Sequence, residues 1–208
     1  ILLILAFPDF DFWFLAWFAL IPLFFAIERE RESWRKSFIT GWIFGTIFFF
    51  GTCYWLTFAP ITYAKFPPLL AYFLMLCVSV VVGIFPAIFG TIFSILLKRF
   101  GTYAILSAPF LWTFTEFLRY WLTGNNWNAI GYSQAFNHLL SQFGSFGGVL
   151  FVSFICVFCN ICYAAPFVIR TKISISFVVI PQLTVLLGVY LLPTDFYKEK
   201  EKTATVIA

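Results

Sequence analysis

Runs of roughly 20 apolar residues recur along this chain, separated by short stretches that are polar or charged. A helix needs about that many apolar residues to cross the hydrocarbon core of a bilayer. A water-soluble domain of this length has no interior large enough to hide them all, because its outer surface must still face water. The composition agrees: 62% of the 208 residues are hydrophobic and only 11% are charged. Mean hydropathy is +0.95. Lipid is the solvent that removes the difficulty. The 31 Phe and 8 Trp fit it as well, since bulky aromatics face lipid readily and Trp gathers at the headgroup level.

The order of runs predicts an all-α polytopic transmembrane bundle of about seven spans. Residues 1–7 read as the tail of a first span, ended by Phe7-Pro8-Asp9. The second is expected over 13–27, with Pro22 tolerated inside it. The third covers 38–58, where Gly41, Gly45 and Gly51 offer close helix approach. The fourth covers 69–97 with a kink at Pro86. The fifth is 103–122, the sixth 149–169 and the seventh 173–192. Between the fifth and sixth lies the one extended polar stretch, 123–148.

Lys and Arg set the orientation. Arg29, Arg31, Arg35 and Lys36, then Lys98 and Arg99, then Arg170 and Lys172 fall in alternate loops. The other short loops hold only Lys65, with Arg119 near a helix end. The positive-inside rule puts the basic loops in the cytoplasm, and so the 123–148 stretch and the C-terminal segment outside it. The charged stretch 28–36 itself reads as a solvated connection. The net charge of +4 has no basic patch interleaved with stacking aromatics, so nucleic acid is excluded as a partner.

Few residues carry chemistry. Cys156, Cys159 and Cys162 are spaced like an iron–sulfur run, but they sit in an apolar segment without a fourth ligand. They read as small hydrophobes. There is no Gly-rich phosphate loop, no spaced metal cluster and no nucleophile–base pair, so neither cofactor nor metal is expected. His138, the only histidine, has no Ser or Cys partner nearby in sequence. Glu116 and Arg119, three residues apart, share a helix face. They form either an ion pair reaching the headgroups or the lining of a polar cavity. Trp127 and Tyr132 are either belt anchors or, with Asn128, contacts to an ester, phosphate or acyl chain.

An ordered series of short motifs adds a family. Phe7-Pro8, Phe12-Trp13, Pro22-Leu23, Gly41-Trp42-Ile43-Phe44-Gly45 and Tyr54-Trp55 are followed by Ala108-Pro109-Phe110-Leu111-Trp112. Glu116, Leu118-Arg119, Trp121 and Thr123-Gly124 come next, then Trp127-Asn128-Ala129-Ile130-Gly131-Tyr132-Ser133-Gln134. Gln142-Phe143-Gly144, Gly147-Gly148 and Asn160 complete the series. In this the chain resembles the apolipoprotein N-acyltransferases. It departs where the family has Phe-Pro before the tryptophan, since Asn125-Asn126 stands there.

The resemblance implies a bacterial inner-membrane enzyme that N-acylates the diacylglyceryl-cysteine of apolipoproteins, with a phospholipid as acyl donor. It implies a periplasmic nitrilase-like α/β domain with a Glu-Lys-Cys triad, inserted after the seventh span. On that basis 1–193 is expected to be the membrane bundle and 194–208 the start of that domain, with 202–208 its first strand. The chain, which starts at Ile1 rather than Met, then reads as a segment of a longer protein without its catalytic residues. Trp127 is the substrate-contacting residue the resemblance singles out, with Asn128, Tyr132, Glu116 and Arg119 beside it. The competing classes are a non-catalytic lipid-binding or scaffold protein and a transporter, though no internal repeat supports the latter.

Overall fold

The computed structural model describes residues 1–169, together with Leu183, Leu187 and Gly188. Among these residues the regular structure is helical throughout. The elements are α1 (Leu2–Leu5), α2 (Ile21–Arg29), α3 (Trp34–Cys53), α4 (Phe58–Thr62), α5 (Pro68–Val82), α6 (Ile84–Phe100), α7 (Ala108–Thr123), α8 (His138–Ser141) and α9 (Gly144–Ile169). Short 3-10 segments join several of them, at Trp13–Trp17, Tyr54–Thr57, Thr102–Ser107 and Ile130–Gln134.

Among the described residues, three stretches are long and apolar enough to cross a membrane: Trp34–Thr62, Pro68–Phe100 and Gly144–Ala165. They correspond to the third, fourth and sixth predicted spans. The fifth appears as the 16-residue α7, and the second divides into a 3-10 turn followed by the nine-residue α2. The reason is proline placement. Pro22 and Pro109 each stand in the first turn of their helix, where the missing N–H costs nothing, so they start helices rather than sit within them. The predicted seventh span lies almost wholly outside the described residues, and the predicted strand at 202–208 entirely so.

Pro86 acts upstream of itself. It cannot donate to the Val82 carbonyl and its ring crowds that group, and α5 ends there, with Gly83 as the joint to α6. The kink lets α6 lie along α3. The two helices run antiparallel, with Gly41 opposite Pro86 and Gly90 opposite Ser37. A Cβ on Gly90 would come within 2.6 Å of the Ser37 carbonyl oxygen, and one on Gly41 would strike that of Pro86. Small residues here are what permit backbone contact. Gly45 faces Gly83 and Pro86 in the same seam, whereas Gly51 is pressed against the Ile4 side chain of α1.

Aromatic rings fill the centre. Phe24 meets Phe93 at 5.8 Å and Phe89 meets Trp112 at 5.0 Å, both edge to face, the geometry that ring quadrupoles favour. The outer surface is apolar as well. On α5 only Ala71, Met75 and Ser79 are buried, while Leu69, Phe73 and Val81 stand exposed. An outward face of that kind suits lipid rather than water.

Candidate functional site

α3 has 20 residues, about 30 Å of helix. Its first turn adjoins the charged 28–36 stretch, and its last adjoins the candidate site. α7 runs toward the same end as the C-terminus of α3 and stops at Gly124, whose φ of 67° and N–H to the Tyr120 carbonyl (2.8 Å) close the helix. Glycine takes that left-handed position without steric cost.

The chain then turns back into the bundle. The Asn125 side chain accepts from the Trp127 N–H at 2.6 Å, an Asx turn that pins the loop. Asn128 sits at φ 60°, and its amide donates to Thr52 Oγ1 (2.6 Å) and Cys53 Sγ (2.8 Å) at the end of α3. From Ala129 to Gln134 the segment is buried, except for Tyr132. Part of the polar 123–148 stretch, expected on the extracytoplasmic side of the bundle, is therefore packed among the helices.

Glu116 and Arg119 explain how. No ion pair joins them within 4 Å. Each, though buried, reaches the loop backbone instead. Glu116 Oε1 accepts from the Ile130 N–H (2.8 Å) and from Trp112 Nε1 (2.9 Å). The Arg119 guanidinium donates to the Trp127 carbonyl and lies over the Phe49 ring at 5.1 Å. Two side chains one turn apart on α7 thus hold the loop on both sides of Asn128. Further along, the Gly131 N–H donates to Ser153 Oγ at 2.8 Å. The buried Gln134 amide donates to the Trp13 carbonyl (3.0 Å) and accepts from Trp17 Nε1 (3.3 Å). Buried polar groups of this kind are normally partnered, and here the exception is the second carboxylate oxygen of Glu116, Oε2, which has no hydrogen-bond partner.

The loop walls a cleft of about 350 Å³, lined by Phe7, Pro8, Asp9, Thr52, Trp55, Trp127, Asn128 and Tyr132. Trp127 is half exposed and tilts against Trp55, ring centres 5.8 Å apart. It also borders a second cleft of about 290 Å³, apolar along α3 and α5 and lined as well by Arg119, Thr123 and Asn125. A larger groove of about 540 Å³ between α7 and α9 is lined by phenylalanines and has little polar chemistry.

Of the five residues named from sequence, Trp127, Asn128 and Tyr132 meet in the first cleft and Arg119 borders the second. Glu116 lines neither. Its position is that of a loop anchor. Asp9, Thr52 and Trp55 were not singled out, although Phe7-Pro8 and Tyr54-Trp55 flagged two of those neighbourhoods. Asn160 is likewise internal support: it accepts from the Leu20 N–H (2.9 Å) and donates to the Ala16 carbonyl (2.7 Å), bridging the break before α2. Aromatic walls, amide and hydroxyl groups and one carboxylate can bind an amphipathic molecule. They supply no activated nucleophile.

Fold and cleft together define a helical membrane protein whose polar loop folds back into the bundle beside a cleft at the C-terminal end of α3. The chain belongs to the apolipoprotein N-acyltransferase family, since the model of the apolipoprotein N-acyltransferase N-terminal domain matches residues 1–162. Among its relatives, the apolipoprotein N-acyltransferase of Pasteurella multocida is 31% identical over 156 residues, 73% of this chain and 29% of the relative. That of Geobacter metallireducens is 31% identical over 162 residues, 77% and 30% of the two chains. That of Vibrio cholerae is 29% identical over 157 residues, 74% and 30%. The matched region is thus under a third of the length of these relatives.

Proposed function

We propose that this chain is the membrane part of an acyltransferase that N-acylates the diacylglyceryl-cysteine of apolipoproteins, with a phospholipid as acyl donor. The observation that carries the proposal is the Trp55–Trp127 cleft, which sets aromatic walls beside the polar Asp9, Asn128 and Tyr132. It offers apolar surface to a chain and hydrogen-bonding groups to a head. Family membership supplies the reaction, and the cleft supplies a place for a lipid-bearing substrate.

In this reading the protein resides in the bacterial inner membrane. The basic end of α3 and α6 faces the cytoplasm and the cleft faces the periplasm. Seven spans surround the site, and 194–208 begins a periplasmic nitrilase-like domain that carries the Glu-Lys-Cys triad. The chain's own residues then bind and orient. Trp127 and Tyr132 contact the lipid, Asn128 fixes the loop to α3, and Arg119 and Glu116 hold its backbone. No step of bond making or breaking falls to them.

The test is Trp127→Ala in the full-length protein. Lipoprotein N-acylation in a complementation assay is expected to fall while membrane insertion stays intact. Unchanged acylation would remove Trp127 from the substrate site.

A further inference from the structure

The far end of the α3–α6 pair holds a cationic cluster that acyl transfer does not use. Antiparallel packing brings the α2–α3 turn beside the last turn of α6, and Lys98 Nζ lies 3.1 Å from Glu32 Oε2 across that junction. The carboxylates there are engaged. Glu28 and Glu32 lie 3.7 and 3.9 Å from the Arg31 guanidinium, and Glu30 accepts from the Thr40 hydroxyl at 3.1 Å. Among the described residues, Arg29, Arg35, Lys36 and Arg99 have no carboxylate within 4 Å. Two of these cations lie over exposed rings: Arg35 over Trp34 at 5.5 Å and Arg99 over Phe100 at 5.4 Å.

We propose that this end binds the phosphate of an anionic phospholipid headgroup between the tips of α3 and α6. A solvated connection would not need Trp34 as the first residue of α3 and Phe100 as the last of α6, both exposed and both carrying a cation. Aromatic residues at helix ends sit at headgroup depth, and clustered Lys and Arg beside a spanning helix attract anionic lipid. Below the cations, Ile39 and Ile43 on α3 and Ile95 on α6 are exposed. They offer apolar flanks to the acyl chains, a feature that free phosphate would have no use for. The proposal stands apart from the acyl-transfer reading, since it lies about 30 Å of helix away from the cleft.

The test uses the full-length protein in neutral-detergent micelles, with fluorescent phosphatidylglycerol and phosphatidylcholine as probes. Phosphatidylglycerol is expected to bind more tightly, and added salt to weaken it. The double variant Arg35→Gln with Arg99→Gln should lose about 30-fold in affinity. Arg35→Lys with Arg99→Lys should stay within a few-fold, which excludes misfolding as the cause. The Gln pair should leave lipoprotein N-acylation unchanged, so that failure here is separate from failure of the acyl-transfer reading. Equal binding of the two lipids, no effect of the Gln pair, or competition by millimolar inorganic phosphate overturns the proposal.

Discussion

Replacing Glu116 separates two accounts of an intramembrane carboxylate. If it serves as an acceptor for Ile130 N–H and Trp112 Nε1–H, Glu116→Ala leaves two buried donors unpaired. Each such donor costs about 1–3 kcal/mol, so the loss is about 2–6 kcal/mol. Relief from burying a carboxylate, and the smaller worth of hydrogen bonds measured inside bilayers, push toward the lower end. Glu116→Gln keeps an amide oxygen in the same place and should cost under about 1 kcal/mol. Thermal unfolding of the full-length protein in detergent gives the stability order, and hydrogen exchange over 128–134 reports whether the loop has loosened. The expected result is wild type close to Gln, with Ala well below both and the loop amides exchanging faster. If Gln is as harmful as Ala, the negative charge matters rather than the acceptor, and the backbone-anchor account is wrong.

Other consequences can be checked with the same protein. Gly41→Val drives a branched side chain into the Pro86 carbonyl and should cost about 1–3 kcal/mol, seen as a lower unfolding temperature. Asn160→Asp keeps the acceptor for the Leu20 N–H but turns an oxygen toward the Ala16 and Cys156 carbonyls. It should destabilise by about 1–3 kcal/mol in the same assay, and a neutral result would show that the break before α2 needs no bridge. Asn128→Val combines a β-branched residue at φ 60° with loss of both contacts to α3. Cysteine placed at Tyr132 in that background should react faster with a membrane-impermeant maleimide than in the parent.

What was legible in the sequence follows from the physics each signal carries. Long apolar runs mark α3, α5–α6 and α9 because hydrocarbon thickness sets their length, and Pro86 marks the kink because its missing N–H acts on Val82. The sixth span was expected from Val149, and the two residues just before it, Gly147 and Gly148, are the non-helical residues of α9. Pro22 was misread, since a proline inside a span and one at a helix start look alike until the preceding turn is known. Glu116 and Arg119 were legible as functional candidates but not as loop anchors. Spacing of three suggests a mutual pair, and only the return of 129–134 into the bundle supplies better partners. The burial of that return was not legible from composition, because Gly131, Ser133 and Gln134 look like a solvated loop while each is partnered inside. The family series held that information as order without geometry.

The central claim is that the Trp55–Trp127 cleft receives a lipid-bearing substrate, and it is tested most directly by photo-crosslinking. The full-length protein would be illuminated with a phospholipid carrying a diazirine in its acyl chain, and the labelled peptides identified by mass spectrometry. Labels concentrated on peptides containing Trp55 and Trp127, and displaced by unlabelled phospholipid, are the predicted result. Labels spread over α5 and the α7–α9 groove with none at the cleft would contradict it.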